Sequence, residues 1–324
     1  MATPKPHTIG SAWDTGHYTV EPEELEALDA ELTRHREREV SDPTLIPREV
    51  LLRVSTAINK GQFDPPRPPE LALQMMRMAE NPRSCAADLA DLAMRDAFLS
   101  GRLLQLANSV QFGPRSGRID GLREAITRLG MSRVRNVVLA SAMRQNVYSG
   151  TRNELMTELW RASIGAAVGC RLISKVAGWR DERAFFTGLV HDMGKPVLVW
   201  VLDEVITESY PDLVNFDKLA PAIFHMLHCR VGAMIIRGWG LSPKLASILA
   251  HHHTPNPPEA LKRPIFMLRM ANLLYESWGI EGENMADTKT LRDHPRMRQL
   301  FPDPKKLLLL LQQYPPALKT QLQA

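Results

Sequence analysis

Apolar residues recur at spacings of three and four along most of this chain, and the strict alternation that marks a half-buried strand is missing. The pattern predicts an all-α protein. From Pro22 to Val40 a helix is expected, since proline suits a first helical position and Glu23 and Glu24 then lie near the positive end of the helix dipole. Its apolar stripe is narrow (Leu25, Leu28 and Leu32), which fits a helix that docks elsewhere or pairs with its own copy, and equally a solvated surface helix. A second helix is expected from Arg48 to Asn59, ended by Gly61. The string Asp64 to Pro69 (DPPRPP) then marks a boundary, because proline lacks a backbone donor and disfavours helix in the residue before it.

Beyond that boundary, helical segments follow one another with short breaks. Glu70 to Glu80 is stopped by Asn81-Pro82, and Ser84 is read as the N-cap of the next helix, with Asp88 near its positive end. Phe98 to Val110 is strongly apolar and ends before Gly113-Pro114. Leu122 to Leu129 closes on Gly130, and Ser132 is read as the cap of the helix running through Val137, Val138 and Leu139. Glu154 to Val176 reads as one long helix carrying Ala162, Gly165, Ala166, Ala167 and Gly169; such small residues let a neighbouring backbone come close, so it should be central. Arg183 to Trp200 should be kinked or broken at Pro196. Lys218 to Trp239, Pro243 to His253 and Pro264 to Trp278 complete the core helices. Residues 280–303 read as polar and irregular, and Lys305 to Gln313, with its five-leucine run, as a short helix packed on the body.

Composition narrows the function classes. The chain has 324 residues, enough for one large domain or two ordinary ones. Hydrophobic residues make up 44% but aromatics only 6%, a balance that favours helix because unbranched side chains lose little rotamer freedom there. The formal charge of +4 is small and its basic residues are scattered; Arg128, Arg133 and Arg135 come nearest to a cluster, with apolar residues between them. Nucleic-acid binding is therefore not expected. Cys85, Cys170 and Cys229 form neither a disulfide framework nor the paired spacing of a zinc site. No unbroken run of about 18 apolar residues occurs, and the segment from Met1 to Val20 lacks a signal-peptide core. The cytoplasm is the expected compartment, with no membrane partner.

The histidines carry the chemical signal. Six of the ten lie between 191 and 253: His191, His225, His228, His251, His252 and His253. One adjoins an acid in Gly188-Leu189-Val190-His191-Asp192-Met193-Gly194-Lys195. An adjacent His-Asp pair can present an imidazole nitrogen and a carboxylate oxygen to one cation. A lone buried histidine is more often a satisfied core residue; His228 and the His252-His253 pair on later helices bring the metal reading level with that one.

In its order of strings the chain resembles the HDOD family (HD-related output domain), a signalling relative of the HD phosphohydrolases and HD-GYP phosphodiesterases. The resemblance spans roughly residues 65 to 275. It rests on Leu89-Ala90, Asp96, Leu103 to Ser109, Ala125-Ile126, Leu129-Gly130, Leu159-Trp160, Gly188 to Lys195, His228 with Val231-Gly232-Ala233, Trp239-Gly240-Leu241, and His252-His253 with Pro255. It implies an HD-like multi-helix domain over 65–278, with extensions at 1–64 and 279–324; the DPPRPP boundary and the thin apolar stripe before it make the first extension separable from the body. It also implies residual metal ligands at His191, Asp192, His228, His252 and His253. Two departures follow from the same matching. Active HD enzymes supply a histidine where this chain has Ala162, and a last aspartate where it has Asn272. Alanine has no donor atom, and asparagine offers only a neutral carbonyl. Lys195 sits where related phosphodiesterases keep a lysine that could touch phosphate; a solvated or capping lysine is the plainer reading.

Hydrolysis of a phosphoester in that family needs a cation to activate water and neutralise phosphoryl charge. With two donors missing, the leading expectation is a non-catalytic regulatory module of bacterial signal transduction. Its partners would be other signalling proteins, or a second copy as a homodimer. No catalytic residue and no cofactor is assigned beyond a divalent metal (Mn, Fe, Mg or Zn) at the residual ligands. The second reading is a metal-dependent phosphohydrolase or cyclic-dinucleotide phosphodiesterase using those ligands, and the third an RNA or DNA regulator.

Overall fold

The computed structural model describes residues 47–59, 85–94, 97–108, 119–179, 183–209, 216–278 and 288–323, with the single positions 70, 74, 78 and 181. Among these the fold is all-α, without a strand. In chain order the described helices are α1 (Pro47–Asn59), α2 (Ala86–Ala93), α3 (Ala97–Ala107), α4 (Leu122–Leu129), α5 (Met131–Asn146), α6 (Asn153–Val176) and α7 (Ala184–Val190). There follow α8 (Gly194–Ser209), α9 (Phe216–Gly238), α10 (Pro243–His251), α11 (Glu259–Trp278), α12 (Thr288–Asp293), α13 (Pro295–Leu300) and α14 (Pro304–Gln323). The helix expected over Pro22 to Val40 and the DPPRPP boundary lie outside the described residues. So does Ser84; Asp88 accepts the Cys85 N–H at 2.8 Å at the start of α2.

The chain forms two compact units, Met1–Asp64 with Val201–Met226, and Pro65–Trp200 with Leu227–Ala324. In the first, Val50, Val54 and Ile58 recur every fourth residue along α1 and are buried, as are Leu202, Phe216, Leu219 and Ile223.

The second unit is built around α6, on which α7, α11 and α14 pack. Its small residues explain how. A Cβ on Gly165 would lie 2.1 Å from the Tyr275 ring, and one on Gly169 would lie 2.8 Å from Ala271 Cβ. A Cβ on Gly188 of α7 would lie 2.5 Å from the Ala166 carbonyl oxygen. The expected central helix is thus met by its neighbours at backbone distance. On α14, Leu307, Leu310, Leu311, Tyr314, Ala317 and Leu318 form one buried helical face, while Leu308 and Leu309 of the same leucine run are exposed.

Several expectations are corrected. The segment Arg183 to Trp200 breaks at His191–Met193 and not at Pro196, which falls in the first turn of α8, where no intrahelical N–H is needed. Ser132 lies inside α5; Gly130, with φ 79°, both closes α4 and opens α5, accepting the Arg133 and Val134 N–H groups. Helix α11 starts at Glu259, so Pro264 is internal. Within 280–303 two short helices form, and α14 runs on through Pro315 and Pro316 to Gln323. The segment Leu219–Gly238 is long and apolar enough to cross a membrane by composition, with mean hydropathy 1.5, but half of it is buried inside the protein.

Candidate metal centre

The turns after α7 and α10 and the middle of α9 bring the predicted ligands together. Helix α7 is buried along its whole length and ends at Val190, so the turn that follows places His191 and Asp192 inside the unit. Helix α8 then starts at Gly194, whose missing side chain lets its backbone touch α9: a Cβ there would lie 2.1 Å from the His228 carbonyl oxygen. His252 and His253 form the turn after α10. Arg269 of α11 fastens that turn, with Nε donating to His252 O at 2.9 Å and Nη2 to Thr254 O at 2.5 Å.

His191, His228 and His252 are each no more than 2% exposed. His191 Nδ1 lies 2.7 Å from Gly188 O, and His252 Nδ1 lies 2.7 Å from Leu249 O. A carbonyl accepts only an N–H, so these bonds assign the proton to Nδ1 in the neutral ring and leave Nε2 as a lone pair. Both lone pairs face Asp192. Its Oδ2 lies 3.3 Å from His191 Nε2, and its Oδ1 lies 3.4 Å from both His228 Nε2 and His252 Nε2. Lys195 holds Oδ2 at 2.5 Å. Burial pushes the Asp192 carboxyl up, but the Lys195 ammonium on Oδ2, joined by His191 and His252 when their rings carry a proton on Nε2, outweighs it and holds the group well below the usual carboxylate range.

The two sides of that carboxylate differ. On the Oδ2 side, Lys195 supplies a cation, and the Asn272 amide nitrogen stands 3.2 Å from His191 Nε2, a donor for its lone pair. On the other side, Asp192 Oδ1 is buried without a hydrogen-bond partner. His228 Nε2 lies 3.3 Å from His252 Nε2, and one proton between them could serve only one of the acceptors around it. Around a tetrahedral cation with bonds of about 2.0–2.1 Å, neighbouring ligand atoms stand roughly 3.3–3.4 Å apart. Asp192 Oδ1, His228 Nε2 and His252 Nε2 have that spacing, so the residues present fit a divalent cation.

His253 is exposed; its ring centroid lies 4.2 Å from that of His252 and 5.1 Å from that of His228. Partial burial and His252 push its pKa down to about 4. Cys229, passed over on spacing, has Sγ 3.3 Å from His228 Nε2. It forms with His228, His252 and His253 a group whose ligand atoms lie within 4.8 Å of one another. Burial, reinforced by Asp192, pushes its thiol up to about 12. The one hint in the sequence was its place beside His228. His251 turns Nδ1 back to Ser247 O at 2.9 Å and is not part of the group, and His225 belongs to the other compact unit. Ala162 lies on α6 and brings no donor.

A family model described as the HDOD domain matches residues 66–255. An uncharacterized protein of Treponema pallidum (strain Nichols) is 26% identical over 251 residues, 71% of this chain and 46% of that protein, so the chain spans about half the length of this curated relative. A solved structure from Shewanella amazonensis SB2B, provisionally named a metal-dependent phosphohydrolase, has TM-score 0.63 at 19% identity, covering 85% of this chain and 99% of its own. An HDOD domain protein of unknown function from Geobacter sulfurreducens has TM-score 0.60 at 22% identity, covering 83% and 98%. A Marinobacter aquaeolei VT8 protein, provisionally named for signal transduction, has TM-score 0.54 at 17% identity, covering 95% and 66%. At such identities these likenesses establish the fold. With more than half of its length matched by the family model, on an all-helical fold shared with an HDOD structure, the chain belongs to the HDOD family.

Proposed function

We propose that this protein is a non-catalytic signal-transduction module that works in the cytoplasm through protein–protein contact, with a degenerate HD metal site. One observation carries the reading. The groups that would grip a catalytic cation on the Oδ2 side are already engaged by the protein's own donors, Lys195 on Asp192 and Asn272 on His191. Ala162 removes a further donor. What remains is suited to a single structural cation held by Asp192, His228 and His252, and a thiol at Cys229 favours a borderline metal such as zinc over magnesium. A cation there would supply Lewis acidity toward a phosphoryl group.

That residual chemistry supports the second reading, a metal-dependent phosphohydrolase or cyclic-dinucleotide phosphodiesterase, because the unpartnered Asp192 Oδ1 still faces two imidazoles. Purified protein is assayed for metal content and for hydrolysis of phosphomonoesters, nucleotides and cyclic dinucleotides with added Mn²⁺, Mg²⁺, Fe²⁺ or Zn²⁺. No turnover dependent on His191 is expected. Turnover that His191→Ala abolishes would replace the signalling reading with the enzymatic one.

A further inference from the structure

A cavity of about 470 Å³ opens on the second unit at the N-terminal end of α6, and none of the metal-centre residues lines it. Its walls come from α3, α5, the turn before α6, and the first two turns of α6 itself. Arg102 and Arg144 both line it, along with Gln145, Asn153, Thr157 and Trp160, and no acid is among its lining residues. A second cavity, of water size, lies against Arg102, Arg144 and Trp160 as well.

Four observations give the cavity one chemical preference. Arg144 is exposed, and its guanidinium stands 5.8 Å from the Trp160 ring centroid, with no carboxylate bonded to it among the described residues. Arg102 reaches Ser141 Oγ at 3.2 Å, and its pKa is lowered by burial and then by Arg144, so the two cations are close enough to repel. Trp160 is 4% exposed, and its Nε1–H is buried with no partner. The N-terminus of the 24-residue α6 carries no side-chain cap; Arg152 before it sits at φ 52°, and Asn153, its first residue, lines the cavity. Two guanidinium groups, an unpaired N–H and the positive end of a long helix all favour an anion.

We infer that this cavity binds a small phosphorylated molecule, its phosphate lying between Arg102 and Arg144 at the start of α6. A phosphate fits better than a carboxylate because it offers three oxygens to donors that approach from three elements. The volume lies within the ordinary range for small-ligand sites and leaves room beyond a phosphate for a body of about mononucleotide size, which Gln145, Asn153 and Thr157 can meet with neutral polar groups. Such a site would give the protein an input that does not depend on its metal centre.

The test is isothermal titration calorimetry on the full chain with inorganic pyrophosphate, AMP and adenosine, with EDTA present throughout so that no phosphate is held by a cation. Pyrophosphate and AMP should bind saturably and adenosine should not. Arg144→Ala should weaken both by tenfold or more, with Arg144→Lys between it and the wild type. Arg144 is exposed, so the variant should melt like the wild type. The inference is overturned if neither phosphate compound binds saturably, if Arg144→Ala binds them as the wild type does, or if adenosine binds as well as AMP.

Discussion

Asn272 governs what His191 can hold. Its amide stands 3.2 Å from the His191 lone pair and quiets it without a cation. A carboxylate at the same place would face that lone pair with another, and the pair would gain from a cation between them. Asn272→Asp should therefore raise zinc or manganese affinity at least tenfold in a direct titration, in line with the effect of groups that tune metal ligands; unchanged affinity would mean that the position has no access to the site. Gly194 matters in a different way. A methyl group there would lie 2.1 Å from a backbone oxygen that cannot rotate aside. Gly194→Ala should cost about 3 kcal/mol, read as a lower denaturant midpoint at constant slope; a midpoint like the wild type's would show that α8 and α9 can part without loss. The histidines and Asp192 were legible in the sequence because each sits in a recognisable string. The bonds that set their tautomers were not, since Gly188 O and Leu249 O are backbone atoms that any residue supplies. Cys229 was legible only as a neighbour of His228, and a rule about paired cysteines hid it.

Periodicity identified most helices but placed their ends less well. Leu122–Leu129 and the long α6 came out within a residue, because a glycine or a clear change of pattern bounds them. The break at His191–Met193 did not, because the apolar pattern runs on across it from Leu189 to Leu198, and Pro196, which reads as a breaker, instead lies in the first turn of α8. Helix α14 shows the reverse error: Pro315 and Pro316 look like a stop, yet the buried face continues past them through Ala317 and Leu318. Tyr314 anchors this face. It is fully buried, its hydroxyl donates to Gly165 O at 3.1 Å, and burial holds its phenol well above the ordinary value, so it stays a donor. Tyr314→Phe should cost about 1 kcal/mol for the lost hydrogen bond, and Tyr314→Ala about 3–5 kcal/mol for the cavity, both measured by chemical denaturation. Equal effects would mean that the hydroxyl contributes most of the anchoring and the ring little.

At the scale of the molecule, the C-terminal segment belongs to the same compact unit as the site, although the family model ends at residue 255. Helix α14 covers α6, the helix on which α7 and α11 also rest. A chain cut after Trp278 should therefore be insoluble or lack a cooperative melt, while one that melts like the full chain would show α14 to be dispensable. The overall class and the run of the family strings could be read from sequence. The grouping of Val201–Met226 with the N-terminal segment could not, because it depends on contacts far apart in the chain.

The glycine contacts at Gly188 and Gly194 have one more consequence. They fix the meeting of α6, α7, α8 and α9 through backbone atoms, so the shape of the centre does not depend on which donors fill it. The permissive and the forbidden changes are therefore separated in the chain. A saturation library selected only for folding should tolerate most residues at Ala162, Asn272 and His253, and should reject nearly everything at Gly188 and Gly194. A frame of this kind can shed or regain a ligand by single substitutions while staying folded, which leaves metal chemistry free to drift on a scaffold that does not.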